Sequence, residues 1–201
     1  MLTYFTVPKG QLTFDAEGAE GGIYHSRKPH VPTDSSGVTI GRGYDLKERT
    51  QQSVIKDLTD AGLSMQHADA YAQGVGLAGA LARDFIISNK LVEITPEQQN
   101  KLFQITYDFM ESDCIRICNK SDVVEKYGAT DWNTLNSKIK DVVIDLRFRG
   151  DYTPESRTFI QKFIADNNLD GFTKVMLDKS KWQNVPVDRF NRRVQYLTSV
   201  I

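Results

Sequence analysis

The chain has 201 residues, of which 40% are hydrophobic and 25% charged, a composition typical of a globular protein with enough length to bury a core. Its 25 Lys and Arg nearly balance its 26 Asp and Glu, giving a net charge of -1. Sequence-independent nucleic-acid binding needs a strongly basic surface, so we expect no nucleic-acid partner. No apolar run approaches the roughly 20 residues that span a bilayer, and the beginning lacks the basic and apolar regions of a signal peptide. We therefore expect no integral membrane segment and synthesis in the cytoplasm.

Turn-forming residues are concentrated in the first 45 residues. Two short β-prone pieces, 22–24 and 38–40, lie there between glycines, prolines and other turn formers. This pattern predicts a small hairpin or a three-stranded sheet, with a loop over about residues 25–36.

The pattern becomes helical after residue 45. The sequence TPEQ at 95–98 combines a capping threonine, a proline at the first helical position and a glutamine that completes a capping box. We expect that helix to run to about residue 112 and to bury Leu102, Ile105 and Phe109. The other expected helices are 46–58, 67–89 as one helix or a pair, 131–148, one starting at 153, 169–179 and 188–200. The predicted class is α+β, with a small N-terminal sheet and a larger helical part.

The cysteines and histidines do not form a recognisable metal-binding pattern. Cys114 and Cys118 are four residues apart and share a helix face, but a zinc site needs about four ligands or an open position. Two small buried thiols are the favoured interpretation. His25, His30 and His67 are expected to be loop or surface residues.

Three residues of the N-terminal part could together carry chemistry. Glu17 follows a short apolar segment, Thr39 lies in a strand-like piece, and Asp45 comes just after the glycines at 41 and 43. Two carboxylates and a hydroxyl near a cleft could hydrolyse a glycoside, since one carboxyl protonates the leaving oxygen and the other activates water. From these residues alone, solvated loop acids remain the alternative.

Three segments resemble a known family. Residues 17–24 (EGAEGGIY) and 38–43 (VTIGRG) resemble signatures of the small phage lysozymes of the T-even type. Residues 179–184 (KSKWQN), followed by Pro186 and Arg189, resemble the last helical segment of the same family. The stretch 36–46 is closer still to toxin domains of the pesticin type, which share that fold.

The resemblance implies a lysozyme-like fold. It implies one domain over 1–201, with an N-terminal lobe over 1–60 that holds the hairpin and a linking helix. A helical lobe over 61–201 would follow, with a cleft between the two lobes. The resemblance implies no metal and no organic cofactor, and we expect a monomer.

The resemblance also implies roles for individual residues. Glu17 matches the general acid, Thr39 the threonine that positions the attacking water, and Asp45 the aspartate that acts as base. Arg189 matches an arginine that pairs with the catalytic glutamate from the helical lobe. Substrate contacts are implied for Arg189, Arg147, Arg149 and Tyr24.

Alternatives stay open at the acid and at the base. In the phage enzymes the catalytic aspartate precedes the threonine, and Asp34 is the nearest candidate in that place. Asp34 also suits a turn, and Asp45 also suits a helix N-cap. Glu20 is an alternative acid to Glu17.

The implied function is that of a muramidase, which hydrolyses the β-1,4 bond between N-acetylmuramic acid and N-acetylglucosamine in peptidoglycan, with inversion. The alternatives are a lytic transglycosylase and a non-catalytic glycan-binding module. The expected place of action is the periplasm or cell wall of a host or target bacterium. An endolysin released with a holin, a secreted effector and a bacteriocin domain with an immunity protein all fit the sequence.

Overall fold

The computed structural model describes residues 5–22 and 25–199 and divides the chain into two compact units, Met1–Tyr107 and Asp108–Ile201. Most of the described residues are helical, and the sheet among them has two strands. The predicted α+β class is therefore confirmed. The lysozyme-like arrangement, with its lobes over 1–60 and 61–201 and a cleft between them, stays a prediction.

The sheet of the first unit is a short hairpin. Strands β1 (Thr39–Ile40) and β2 (Tyr44–Asp45) pair antiparallel, with Thr39 opposite Asp45. The predicted hairpin is confirmed, and the loop before it joins through an isolated bridge between His30 and Thr39. Of the β-prone piece at 22–24, residues 23 and 24 lie outside the described residues.

The helices of the first unit surround this hairpin. Buried side chains of β1 and β2 share one core with Leu58 and Tyr71 from the helices that follow, and all of them are fully excluded from solvent. The helices in chain order are α1 (Gln11–Ala16), α2 (Gln51–Asp60), α3 (Met65–Ala72), α4 (Gly79–Asn89) and the beginning of α5 (Pro96–Cys118), of which the residues after Tyr107 belong to the second unit. The expected helix pair at 67–89 is confirmed as α3 and α4, whereas α1 was not predicted.

The prediction of a helix from residue 46 is wrong at its beginning. Helix α2 begins at Gln51 because Thr50 caps it, and the Thr50 hydroxyl accepts a hydrogen bond from the Ser53 backbone N–H at 3.1 Å. Asp45 ends β2 and is not a helix N-cap. Its carboxylate accepts from the Lys47 N–H at 2.8 Å, which forms a local turn before α2.

The predicted start of α5 is confirmed. The Thr95 hydroxyl accepts from the Gln98 N–H at 3.2 Å, and the Gln98 side chain accepts from the Thr95 N–H at 2.9 Å. Leu102 is buried as expected, and Ile105 is partly buried. Phe109 is 60% exposed, so its expected burial is wrong. It lies two residues beyond buried Tyr107, which places it roughly 200° around the helix from the buried face.

All of the regular secondary structure that is described in the second unit is helical. The expected start at 131 is wrong, because Asn136 caps the helix by accepting from the Lys138 N–H at 2.9 Å. The predicted capping signal at 153 is confirmed, since the Thr153 hydroxyl accepts from the Ser156 N–H at 3.2 Å. The helices are α6 (Ser121–Tyr127), α7 (Ser137–Arg149), α8 (Pro154–Ala165), α9 (Leu169–Leu177) and α10 (Val187–Thr198), with a 3₁₀ turn at Lys179–Trp182.

The two cysteines behave as core residues. Cys114 and Cys118 are buried free thiols, which confirms the interpretation favoured from the sequence. Burial raises the pKa of the Cys114 thiol well above its usual range, so this thiol stays protonated. Among the described residues, no helix combines the length and apolar character needed to cross a membrane.

Candidate functional site

The hairpin holds Thr39 and Asp45 side by side. They are directly opposed across the antiparallel pair, so their side chains lie on the same face of the sheet. The Asp45 carboxylate accepts from the backbone N–H of Gly37 at 3.0 Å and of Lys47 at 2.8 Å. The buried Thr39 hydroxyl donates to the Gly37 carbonyl at 3.3 Å. One peptide segment therefore fixes the orientation of both side chains.

Gly37 is required for this arrangement. A Cβ atom at residue 37 would lie 2.5 Å from Oδ1 of Asp45 and 2.7 Å from Cβ of Lys47. Any larger residue would push the Asp45 carboxylate away from the Gly37 N–H. The glycine thus leaves room for the Asp45 carboxylate to bond to the backbone amide of residue 37.

Glu17 lies at the C-terminal end of α1. Its backbone N–H donates to the Thr13 carbonyl at 3.0 Å, which closes the last turn. Phe14, on the same helix, is fully buried and packs edge-on against Phe103 at 5.1 Å between ring centroids. This short helix is thereby anchored to α5, and Glu17 is half-buried just beyond its end.

Arg42 connects the hairpin to the segment that carries Glu17. From the turn between β1 and β2, its Nη1 donates to the carbonyls of Phe14 at 2.6 Å and Gly18 at 2.9 Å. A Cβ at residue 18 would lie 2.8 Å from the Ser26 side chain and 3.4 Å from Cγ of Arg42, so the close approach needs a glycine there. The three predicted catalytic residues are therefore held in one compact unit by direct contacts between their segments.

Glu20 belongs to an ion cluster of its own. Its carboxylate accepts from Arg27 at 2.8 Å and from Gln99 at 2.7 Å. Burial acts to raise the pKa of Glu20, but these hydrogen bonds and the charges of Arg27 and His25 bring it below its ordinary value. An ionised carboxylate has no proton to donate, which argues against Glu20 as the general acid.

His25 is part of the same cluster. Its Nδ1 accepts from the Gly21 N–H at 2.7 Å, and its Nε2 lies 2.8 Å from Oε1 of Glu93. Its side chain is only 10% exposed. His25 therefore lies in a loop, as expected, but most of its side chain is shielded from solvent.

Asp34 is a poor candidate for the base. Its side chain is 92% exposed and pairs with Arg83 at 2.6 Å. An exposed carboxylate in a surface ion pair has few constraints on its orientation. Asp45, which is oriented by two backbone amides, suits that role better.

The second unit holds Arg189 within a buried ion cluster. Asp145 is fully buried and contacts Nη2 of Arg189 at 2.6 Å and Nε of Arg193 at 2.6 Å. Arg193 also reaches Asp151 at 3.0 Å. The expected pairing of Arg189 with Glu17 stays a prediction.

The other two predicted substrate-contact arginines lie at the end of α7. Arg147 pairs with Asp113 at 2.6 Å, and Arg149 donates to the Asn184 carbonyl at 2.9 Å. Burial acts to raise the pKa of Asp113, but the hydrogen bonds and charges of Arg147 and Arg116 bring it below its usual value.

A cavity of about 440 Å³ lies in the same unit. Asn184, whose carbonyl Arg149 contacts, forms part of its wall. Phe159 and Trp182 also line it and pack edge-on at 5.3 Å between ring centroids. The aromatic pair lies among polar wall residues, and these include Glu155, Ser180 and Gln183.

The remaining sequence predictions concern a substrate contact at Tyr24 and metal binding. Tyr24 lies outside the described residues, so its substrate contact stays a prediction. Within residues 5–22 and 25–199, the structure shows no group of three or more His, Cys, Asp or Glu side chains arranged to hold a metal ion.

Two residues that organise these sites were not predicted from the sequence. Arg42 stands between two turn glycines, where a long charged side chain is usually solvated. Asp145 interrupts the apolar run Val142, Val143, Ile144 and Leu146 on α7. A carboxylate inside a buried helical face is a signal of a buried partner, and this signal was available from the sequence.

Replacing Glu20 with glutamine tests the ion cluster of the first unit. Because the folded-state pKa of Glu20 is lowered, its contribution is complete above the unfolded-state value and is lost as the pH falls through the folded value. We expect Glu20→Gln to reduce the free energy of unfolding by about 1–3 kcal/mol at pH 7. This difference in the free energy of unfolding between the variant and wild type should shrink when the urea titrations are repeated at a pH below 4.5, the ordinary pKa of a glutamate.

Glu97→Gln is the control for this change, because Glu97 is an exposed glutamate paired with Lys101 one helical turn away. It should change stability little at either pH. If the free energies of unfolding of Glu20→Gln and wild type differed by the same amount at both pH values, the ionised Glu20 carboxylate would not be what stabilises the cluster.

Replacing Asp145 with asparagine tests the ion cluster of the second unit. The variant keeps the size of the side chain but leaves two buried guanidinium groups without their shared carboxylate. We expect the free energy of unfolding to fall by about 3–5 kcal/mol, measured by urea denaturation. Asp166→Asn, which removes an exposed partner of Lys162, is the control and should change little. A loss no larger than that of the control would show that the buried cluster does not stabilise the fold.

Comparison with known proteins gives a family without a known activity. No curated protein matches the chain. A family model described as a domain of unknown function, DUF8812, matches residues 10–194. The matched range begins just before α1 and ends within α10, so it includes Glu17, the hairpin and the arginines of the second unit. The chain belongs to the DUF8812 family.

Proposed function

We propose that this protein is a muramidase that hydrolyses the β-1,4 bond between N-acetylmuramic acid and N-acetylglucosamine in peptidoglycan. The hairpin carries the proposal. Asp45 is held by two backbone amides directly opposite Thr39. The turn between them is bonded to carbonyls on either side of Glu17 in the sequence. A carboxylic acid and an oriented carboxylate are the pair of groups that hydrolysis of a glycoside uses, and a hydroxyl beside them can orient the attacking water.

In the proposed mechanism the two carboxyl groups have different tasks. Glu17 protonates the glycosidic oxygen as the bond to the sugar breaks. Asp45 takes a proton from a water molecule, and Thr39 orients that water on the opposite face of the sugar. This division gives inversion at the anomeric carbon, for which carboxyl groups roughly 6.5–9.5 Å apart leave room for the water.

The orientation of Asp45 favours hydrolysis over a lytic transglycosylase. A transglycosylase needs one acid/base glutamate and no group to activate water. Here both oxygens of Asp45 are held by amides, and a glycine makes room for one of those bonds. Such a constrained carboxylate suits a base that must point at a water molecule.

The arginines of the second unit suit the charge of the substrate. Peptidoglycan carries carboxylates on its peptide stems and on its muramic acid, and guanidinium groups bind carboxylates well. In the proposal, Arg147 and Arg149, which are partly exposed, contact these groups. The cavity beside Asn184 offers aromatic and polar surface of the kind that sugars and peptides bind.

The proposed substrate places the action in the bacterial cell wall or periplasm. Release with a holin would accompany an endolysin role, and an immunity protein would accompany a bacteriocin or effector role. The chemistry at Glu17, Thr39 and Asp45 is the same in each of these settings.

The decisive experiment is mass spectrometry of fragments released from purified peptidoglycan. We expect wild-type protein to release fragments that end in a reducing muramic acid. Glu17→Gln and Asp45→Asn should each lower the rate by about 10²–10⁴, the usual contribution of a general acid or base. Asp34→Asn is the matched control, because it removes an exposed aspartate of the same unit, and it should keep the wild-type rate.

Two results would contradict the proposal, and a third would change the residue that acts as base. Anhydro ends, which are lighter by one water, would identify a lytic transglycosylase. If the folded wild-type protein released no fragments, a non-catalytic glycan-binding module would be the better interpretation. Loss of activity in Asp34→Asn with retention in Asp45→Asn would transfer the role of base to Asp34.

A further inference from the structure

Arg42 is buried between two segments of the first unit, the hairpin turn and the end of α1. It belongs to the turn that joins β1 to β2, so it lies between Thr39 and Asp45 in the sequence. Only 5% of Arg42 is exposed to solvent. Its Nη1 donates hydrogen bonds to the Phe14 and Gly18 carbonyls. A long cationic side chain is rarely buried without a specific set of partners.

The bonds of Arg42 meet a need of α1. The last carbonyls of a helix have no donor within the helix, and the negative end of the helix dipole attracts a cation. The guanidinium group therefore stabilises the end of α1, at the turn where Glu17 is located. Its central carbon also lies 4.0 Å from the centroid of the Phe14 ring, in a cation–π contact.

Glu20 supplies the nearby negative charge. Its Oε1 lies 3.7 Å from Nη2 of Arg42, and Arg27 and Gln99 hold its carboxylate in place. Nε of Arg42 is buried without a hydrogen-bond partner among the described residues. A buried donor that is left unpaired is costly, so the other contacts of Arg42 must offset this cost. The two carbonyl contacts account for the presence of an arginine.

We propose that Arg42 is a positioning residue, which sets the separation between the carboxyl group of Glu17 and the Thr39–Asp45 pair. This inference rests on the proposed function. The guanidinium group connects the segment of the acid directly to the segment of the base by two hydrogen bonds. Removing it frees the end of α1 to move relative to the hairpin while leaving all three catalytic side chains in the chain.

Lysine is not an equivalent replacement. The planar guanidinium group directs N–H bonds at two carbonyls and stacks on Phe14, whereas an ammonium group is a compact, strongly hydrated charge. Arg42→Lys therefore keeps the charge but loses the planar, stacked geometry. Arg42→Met keeps much of the apolar stem and loses every polar contact.

The test separates turnover from binding. We would measure kcat and KM on soluble, uncross-linked peptidoglycan for wild type, Arg42→Met, Arg42→Lys and Arg42→Ala. The temperature would be kept well below the thermal unfolding midpoint of each protein. A displacement of about 1 Å can cost about 100-fold in rate. We therefore expect kcat of Arg42→Met to fall by about 100-fold with KM within about threefold of wild type. Arg42→Lys should also lose kcat, and millimolar guanidinium should restore part of the kcat of Arg42→Ala.

Arg83→Met is the matched control, because it removes a half-exposed arginine of the same unit that pairs with exposed Asp34. It should keep both constants. If Arg42→Met and Arg42→Lys had the same kcat per folded molecule as wild type, the proposed role of Arg42 would be wrong. The proposed function would then remain intact. Wild-type protein that does not cleave the substrate would overturn the proposed function and this role with it. If Arg42→Met does not fold, Arg42→Lys and the guanidinium rescue decide between the two outcomes.

Discussion

The bonds from Arg42 to the end of α1 are the constraint on which the candidate site depends. Helix α1 has only six residues, which is too short to be stable by itself. Phe14 anchors it to α5, and Arg42 anchors its last turn to the hairpin. Because Glu17 follows that turn and Asp45 ends the hairpin, the same contacts that stabilise the first unit also hold the segments that carry these two carboxyl groups.

Buried charge organises both units, with different consequences. In the first unit, Glu20 lies beside Arg42 and Arg27, and its lowered pKa keeps it ionised. In the second unit, Asp145 is fully buried and holds two guanidinium groups. Buried pairs of this kind are weak sources of net stability, but losing one partner is expensive. They therefore fix geometry, and the residues they fix include Arg189, which the family resemblance implies as part of the site.

The sequence predicted features that depend on neighbouring residues and missed those that depend on distant ones. The starts of α5 and α8 follow from capping residues within one turn, so Thr95 and Thr153 could be read directly. The opposition of Thr39 and Asp45 follows from a short hairpin. Helix α1 and the Arg42 contacts were missed because they depend on residues that the chain brings together only on folding. The same holds for Asp145, whose partners lie more than forty residues away.

In the proposed mechanism, Glu17 protonates the glycosidic oxygen and Asp45 activates a water molecule on the opposite face of the sugar. Proton NMR of the reducing end formed during the first turnovers tests it directly, before mutarotation mixes the anomers. Cleavage of the β-1,4 bond by this mechanism predicts that the α-anomer of muramic acid appears first. If the β-anomer appeared first, a covalent intermediate with retention would be required, and the assignment of Asp45 and Thr39 to water activation would be wrong.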